Sequence, residues 1–186
     1  MHAPISLLAL SALALGGILF VPGWGDMVLI AGPCLLASLW LVWQARPRAV
    51  LPQVVIDGSN VMHWKDGTPQ IETLLEVLAH LKAEGFKPGV MFDANAGYLV
   101  AGKYQHDHAM ARRLGLPTDA VLVVPKGSPA DETILIAARD NGARVVSNDR
   151  YRDWADRFPQ VRTPGHVIRG GYRDGKLWLD TSVPAA

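Results

Sequence analysis

Apolar residues are arranged in two different ways along this chain. Ile5 to Val21 (ISLLALSALALGGILFV) and Met27 to Trp43 (MVLIAGPCLLASLWLVW) are apolar or small throughout, separated by the short break PGWGD. Beyond Gln53, short strand-like runs alternate with helix-like ones. Val54 to Asp57 reads as a strand. Residues 69–84 read as an amphipathic helix, with Ile71, Leu74, Leu75, Leu78 and Leu81 at helical spacing and Gly85 closing it. Val90 to Asp93 is the next predicted strand, followed by a helix over residues 100–114 that Gly115 and Pro117 stop. Ala120 to Val124 is a third strand. A helix over residues 129–140 closes at Asn141-Gly142 and leads to a fourth strand, Arg144 to Ser147. A short helix is expected over residues 151–158, halted by Pro159. The tail HVIRGGYRDGKLWLD reads as a strand and a hairpin turning at Arg173-Asp174-Gly175.

Strands separated by helices imply right-handed crossovers and a parallel sheet covered on both faces. The expected organisation is a two-helix hairpin over 1–45, a linker over 46–52 and an α/β domain over 53–182. Each apolar run at the front is 17 residues long, at the lower limit of the ~17–25 that cross a bilayer as a helix. The leading reading is a pair of transmembrane helices contacting the lipid bilayer through residues 5–43. A cleaved signal peptide before a single span is weaker, because no Lys or Arg precedes Arg46. A buried helical hairpin is weaker too, because neither run offers a polar face to water. Arg46 and Arg48 follow the second run and assign the domain behind them to the cytoplasmic side of an inner membrane.

Charge and cysteine content narrow the chemistry. All 18 Lys and Arg lie beyond Gln44, with 16 of the 17 acids, Asp26 being the exception. Such a balanced domain is not a strongly basic, non-specific nucleic-acid binder, so any nucleic-acid contact has to be local. Cys34 is the only cysteine; one chain therefore builds neither a disulfide nor a Cys-based zinc site. No G-x-x-x-x-G-K-[ST] loop and no G-x-S-x-G elbow occurs, which argues against P-loop nucleotide hydrolysis and hydrolase-type acyl transfer.

In a parallel α/β sheet, functional groups gather beyond the carboxyl ends of the strands. VVIDGSNV (54–61) delivers Asp57 there and VVSNDRYRDW (145–154) delivers Asn148 and Asp149. The third strand leads through PKGSP to Asp131 in the first turn of the next helix. Asp153 lies four residues beyond Asp149, one helical turn on, so both carboxylates can face one point. Asn60, three residues past Asp57, can orient a water or a phosphate. Asp93 reaches the same edge as a second-tier candidate. Carboxylates gathered without a basic partner repel one another unless a cation sits between them, and hard divalent ions such as Mg2+ take such oxygen ligands.

Singly, each acid has a structural explanation. Ser128, Pro129 and Asp131 fit a capping pattern, Asp149 can cap the following helix, and Asp153 can pair with Arg157. Jointly, caps do not explain why the acids share an edge. Lys126, Arg150 and Arg152 flank that edge as candidate phosphate contacts, with plain solvation as the rival reading. His106 and His108 stand two apart and face different ways on a helix; His63 and Trp64 follow the Asp57 loop, to touch substrate or simply to pack.

VVIDGSNV, Ala130-Asp131 and VVSNDRYRDW together resemble the Regnase-type endoribonuclease domain, within the NYN branch of the PIN-like superfamily. The resemblance runs from about Pro52 to Asp180. It implies a three-layer α/β/α PIN-like fold and Mg2+-dependent cleavage of single-stranded or loop RNA, with Mn2+ as a substitute ion. Asp57, Asp131, Asp149 and Asp153 match that family's acidic, metal-holding cluster, and Asn60 its amide position. Two departures stand out. Ala130 replaces an acid, so a second metal site has one carboxylate fewer. The CCCH zinc finger that accompanies the domain in animal members is absent. The sequence therefore implies a membrane-anchored, metal-dependent endoribonuclease, with an inactive RNA-binding adaptor or a structure-specific DNA nuclease as rivals.

Overall fold

A computed structural model describes residues 2–20, 26, 28–45 and 50–182. Two compact units divide the chain, Met1–Val50 and Leu51–Ala186. In the first, α1 (His2–Phe20) and α2 (Val28–Gln44) pack as a helical pair. The Ser38 hydroxyl is buried between them, donates to the Cys34 carbonyl at 2.7 Å and lies 3.3 Å from the Ser11 hydroxyl.

The membrane expectation is overturned for this unit. Among the described residues no helix is long and apolar enough to cross a membrane. The reason is length. The 17 residues of α2 span about 25 Å at ~1.5 Å per residue, and the apolar part of α1 begins only at Ile5, whereas the hydrocarbon core is ~30 Å thick. The assignment to an inner membrane falls with it. Arg46 and Arg48, on which the orientation rested, lie outside the described residues, as do residues 46–49 of the linker and most of the PGWGD break.

The second unit is built on β1 (Gln53–Asp57), β2 (Lys87–Phe92), β3 (Val121–Val123), β4 (Arg144–Val146) and β5 (Val167–Ile168). They form one parallel sheet in the order β3-β2-β1-β4-β5. Strand alternation splits the core. Val54, Ile56 and Val146 face one layer with α4 (Ile71–Ala83) and α6 (Asp107–Leu114), whereas Val55 and Val145 face α7 (Ala130–Asp140) with Tyr151 and Phe158. Sheet faces covered on both sides give the α/β/α arrangement that the alternating pattern implied. Beyond β5, β6 (Gly170–Arg173) and β7 (Lys176–Leu179) form the expected antiparallel hairpin. Asp174 and Gly175 make its turn, both at positive φ.

Three local expectations need correction. On α4, Leu75 is exposed, and Thr73 and Val77 join Leu74, Leu78 and Leu81 in the buried stripe. The helix expected over 100–114 is two pieces, α5 (Ala96–Ala101) and α6, because Gly102 adopts a left-handed conformation at φ 66 that ends α5. The helix expected over 151–158 is only a 3₁₀ turn, Arg152–Trp154, entered through Tyr151 at φ 48.

Sheet order decides where a site can form. The chain leaves β1 in opposite directions, through β2 and β3 on one side and β4 and β5 on the other. Such a reversal opens a crevice at the carboxyl ends of the two central strands. Ile56 is paired with Val146 across it, so the next residues, Asp57 and Ser147, leave the sheet side by side.

Candidate active site at the β1–β4 crevice

Asp57 is the innermost group, only 7% exposed. Its Oδ1 accepts the Asn60 backbone N–H at 3.1 Å, capping the short α3 (Gly58–Val61). Its Oδ2 accepts the Ser147 hydroxyl at 3.0 Å and the Tyr151 hydroxyl at 3.2 Å. Burial nevertheless pushes its pKa up to about 6; these donors hold it down, and Asp131 adds to the rise. Gly58 is required here for closeness rather than for a turn. A Cβ at that position would lie 2.5 Å from the buried Phe92 ring.

Asp131 stands in the first turn of α7, half-buried. The Ser128 cap does not form: α7 starts at Ala130 behind Pro129, with no side-chain cap. Asp131 is thereby free of capping duty. Its pKa is raised by burial first and then by the charge of Asp149; a hydrogen bond from Trp154 lowers it and Asp153 raises it further. Asp131 thus senses the charges of Asp149 and Asp153 and is itself sensed by Asp57, which is buried, whereas Asp149 and Asp153 are exposed. Their route together differs from the one expected. Asp149 and Asp153 do not share a helical face, because left-handed Tyr151 stands between them. Arg157 pairs with Glu132 instead of Asp153. Asp149 accepts the Tyr151 N–H at 2.7 Å, a local turn rather than a helix cap.

The remaining predicted residues divide by partner. The Asn60 side-chain oxygen accepts both the Trp64 indole N–H at 2.9 Å and the Asn148 N–H at 3.0 Å, locking the β1 loop to the β4 loop. Its Nδ2 has no partner among the described residues. Trp64 is thus a brace. Nδ1 of His63 lies 2.8 Å from the Ser59 carbonyl oxygen. His108 is occupied with Thr118 and Arg112, and His106 packs edge-on to Tyr104. Asp93 lies beyond β2, accepts the Asn95 N–H at 2.8 Å and does not register on Asp57 or Asp131. Lys126, Arg150 and Arg152 are exposed on the loops beyond β3 and β4, with no carboxylate within 4.0 Å among the described residues.

Sequence reasoning missed Ser147 and Tyr151 as site residues. Ser147 is fully buried; it donates to Asp57 and accepts the Asp149 N–H at 3.1 Å, joining the two strand-end acids. Tyr151 is 1% exposed and its hydroxyl pKa is raised, by burial first and then by Asp57. It therefore remains a neutral donor. The only sequence signal was a tyrosine inside an otherwise charged run.

Among the described residues no three acidic, imidazole or thiolate side chains form a ready-made metal cage. The donor set itself suits a hard cation. Carboxylates oppose one another's ionisation, none is paired with Lys or Arg among the described residues, and Mg2+ binds through a few carboxylates while keeping several waters.

A family model, the Zc3h12a-like ribonuclease NYN domain, matches residues 50–166. The chain belongs to that family. Solved structures share the α/β fold. One is the Arabidopsis thaliana nuclear protein-only RNase P 2 (PRORP2), with TM-score 0.55 and 18% identity, covering 87% of this chain and 36% of that one. Another crystal structure of nuclear proteinaceous RNase P 2 from A. thaliana gives TM-score 0.54 and 18% identity, covering 80% of this chain and 33% of that one. The chain thus spans about a third of the length of these solved structures. Among curated proteins nothing matches significantly.

Proposed function

We propose that the α/β unit is a divalent-metal-dependent endoribonuclease that cuts single-stranded or loop RNA, using Mg2+ with Mn2+ as a substitute. The observation that carries this reading is the buried Asp57 carboxylate, held by Ser147 and Tyr151 at the crevice of a ribonuclease-family domain, with Asp131 close enough to oppose its ionisation. An acidic edge without cationic partners inside a ribonuclease-family domain is best explained as a seat for a metal ion.

Asp57, Asp131, Asp149 and Asp153 would hold the ion. When bound, it would neutralise phosphodiester charge and lower the pKa of an attacking water. The chain's own residues supply the rest. Ser147, Tyr151 and the Asn60 N–H fix the Asp57 carboxylate with three donors, so its orientation is set before substrate arrives. The free Nδ2 of Asn60 donates to a water or to a phosphate oxygen at the crevice. Lys126, Arg150 and Arg152 bind phosphates of the flanking strand.

Ala130, standing where the family resemblance places an acid, favours one rival, a non-catalytic RNA-binding adaptor. Labelled single-stranded RNA incubated with the full chain separates the two. Mg2+-dependent internal cuts are expected, lost on chelation and reduced at least about a hundredfold in D57N and D149N. Equal cleavage by wild type and both variants would remove the assignment, and RNA binding without cleavage would support the adaptor. A matched DNA strand in parallel tests whether the 2′-hydroxyl matters.

A further inference from the structure

The β6–β7 hairpin lies beyond residues 50–166, the stretch that the family model covers. Its register gives it two unlike faces. Gly170 opposes Leu179 and Tyr172 opposes Leu177, and both leucines pack on the core. On the other face Gly171 opposes Trp178 and Arg173 opposes Lys176, with Arg169 in line two residues before Gly171. The inner face anchors the hairpin, so the outer one is not needed to hold it in place.

The outer face is cationic and aromatic, with Asp180 as the acid opposite Arg169. The indole of Trp178 lies across Gly171, where an added Cβ would touch it at 3.5–3.8 Å. The Arg173 guanidinium stands 4.4 Å from the indole centre. Arg169, Arg173 and Lys176 have no carboxylate within 4.0 Å among the described residues. The face also begins at the site. Arg169 donates to the Asn148 carbonyl at 3.1 Å, and the Asn148 side-chain amide donates to the Gly170 carbonyl at 2.8 Å. Asn148 directly precedes Asp149.

We infer that this outer face is a second contact surface for the substrate strand, with Arg173 and Lys176 on phosphates and Trp178 stacking an unpaired base. The inference rests on the ribonuclease reading and adds where the strand runs: from the acidic crevice past Arg169 and along about 13 Å of β6, four residues at ~3.3 Å each. The Arg173 guanidinium lies over the indole ring, so a base stacks there in its place as Arg173 turns to a phosphate, and cations without carboxylate partners suit phosphates. A duplex would present phosphates but no free base to the indole.

The test is fluorescence anisotropy of labelled single-stranded RNA, titrated with the full chain in Mg2+, in a D149N background in which cutting is slow against the titration. W178A is expected to bind roughly tenfold more weakly, the lower range of one base–aromatic stack. R173A/K176A is expected to weaken binding and to flatten the dependence of log Kd on log salt by about 1.4, at ~0.7 per lost phosphate contact. The double variant leaves the packed face untouched, so its result does not depend on how W178A folds. Unchanged affinity and unchanged salt slope in both overturn the inference. Wild-type cleavage is measured alongside: cleavage with unaltered binding in the variants overturns the hairpin surface alone. Loss of both cleavage and binding in unsubstituted protein overturns the ribonuclease reading with it. Hairpin-dependent binding without cleavage supports the surface and rejects the nuclease.

Discussion

At the scale of single residues, Asp57 has a cost that its position explains. Its carboxyl titrates near 6 in the folded protein against an ordinary 3.8, so the folded state binds its proton more tightly than the unfolded one. The stability that this proton contributes is complete below about 3.8 and lost as pH rises through about 6. The gap corresponds to roughly 3 kcal/mol at ~1.36 kcal/mol per tenfold. D57N removes this cost and can keep its neighbours, because the Ser147 and Tyr151 hydroxyls can turn to accept from an amide. In chelator at pH 7.5 the variant is expected to be about 1–2 kcal/mol more stable than wild type by urea unfolding. The difference should shrink towards pH 4. A variant less stable at pH 7.5 would contradict the burial argument.

The same scale shows what the sequence could reveal. An acid ending a strand-like run can be read from local pattern, and Asp57 and Asp149 are such residues. Ser147 and Tyr151 cannot, since each acquires its role only by meeting Asp57, 90 and 94 positions away. Nothing in the neighbourhood of a serine at a strand end marks that encounter.

At the scale of elements, strands and long amphipathic helices were legible because burial on one face or two imposes a period. Boundaries set by left-handed residues were not. Gly102 splits an otherwise continuous helical pattern, and Tyr151 prevents a helix where propensity favours one, in both cases through a backbone conformation that periodicity does not register. The β1–α3 junction shows the converse. Gly58 looks like a turn residue, yet its φ is not positive and its role is the approach of Phe92. G58A should therefore act as overpacking at a closed ring contact, costing about 1–3 kcal/mol in chemical denaturation. Because β1 would have to move away from β2, Asp57 would move with it, and cleavage should fall as well. A neutral G58A would mean that Phe92 can repack and that the junction is looser than described.

At the scale of the whole molecule, the order β3-β2-β1-β4-β5 sets the two central strand ends, and with them Asp57 and Ser147, side by side at the crevice where the chain reverses direction. Alternation of strand and helix forecasts a parallel sheet but not this order, because several permutations bury the same residues. Hydropathy also misled at this scale. It scored the front of the chain as membrane-spanning, whereas helix length in three dimensions falls short. The proposed metal site rests on an acidic crevice whose charges oppose one another. Calorimetric titration of the full chain with Mn2+ near pH 7.5 tests this most directly. At least one ion should bind to wild type, with affinity reduced about tenfold or more in D131N, which loses the carboxylate that senses the other three. Absence of binding at millimolar metal, or equal binding by wild type and D131N, would contradict the account.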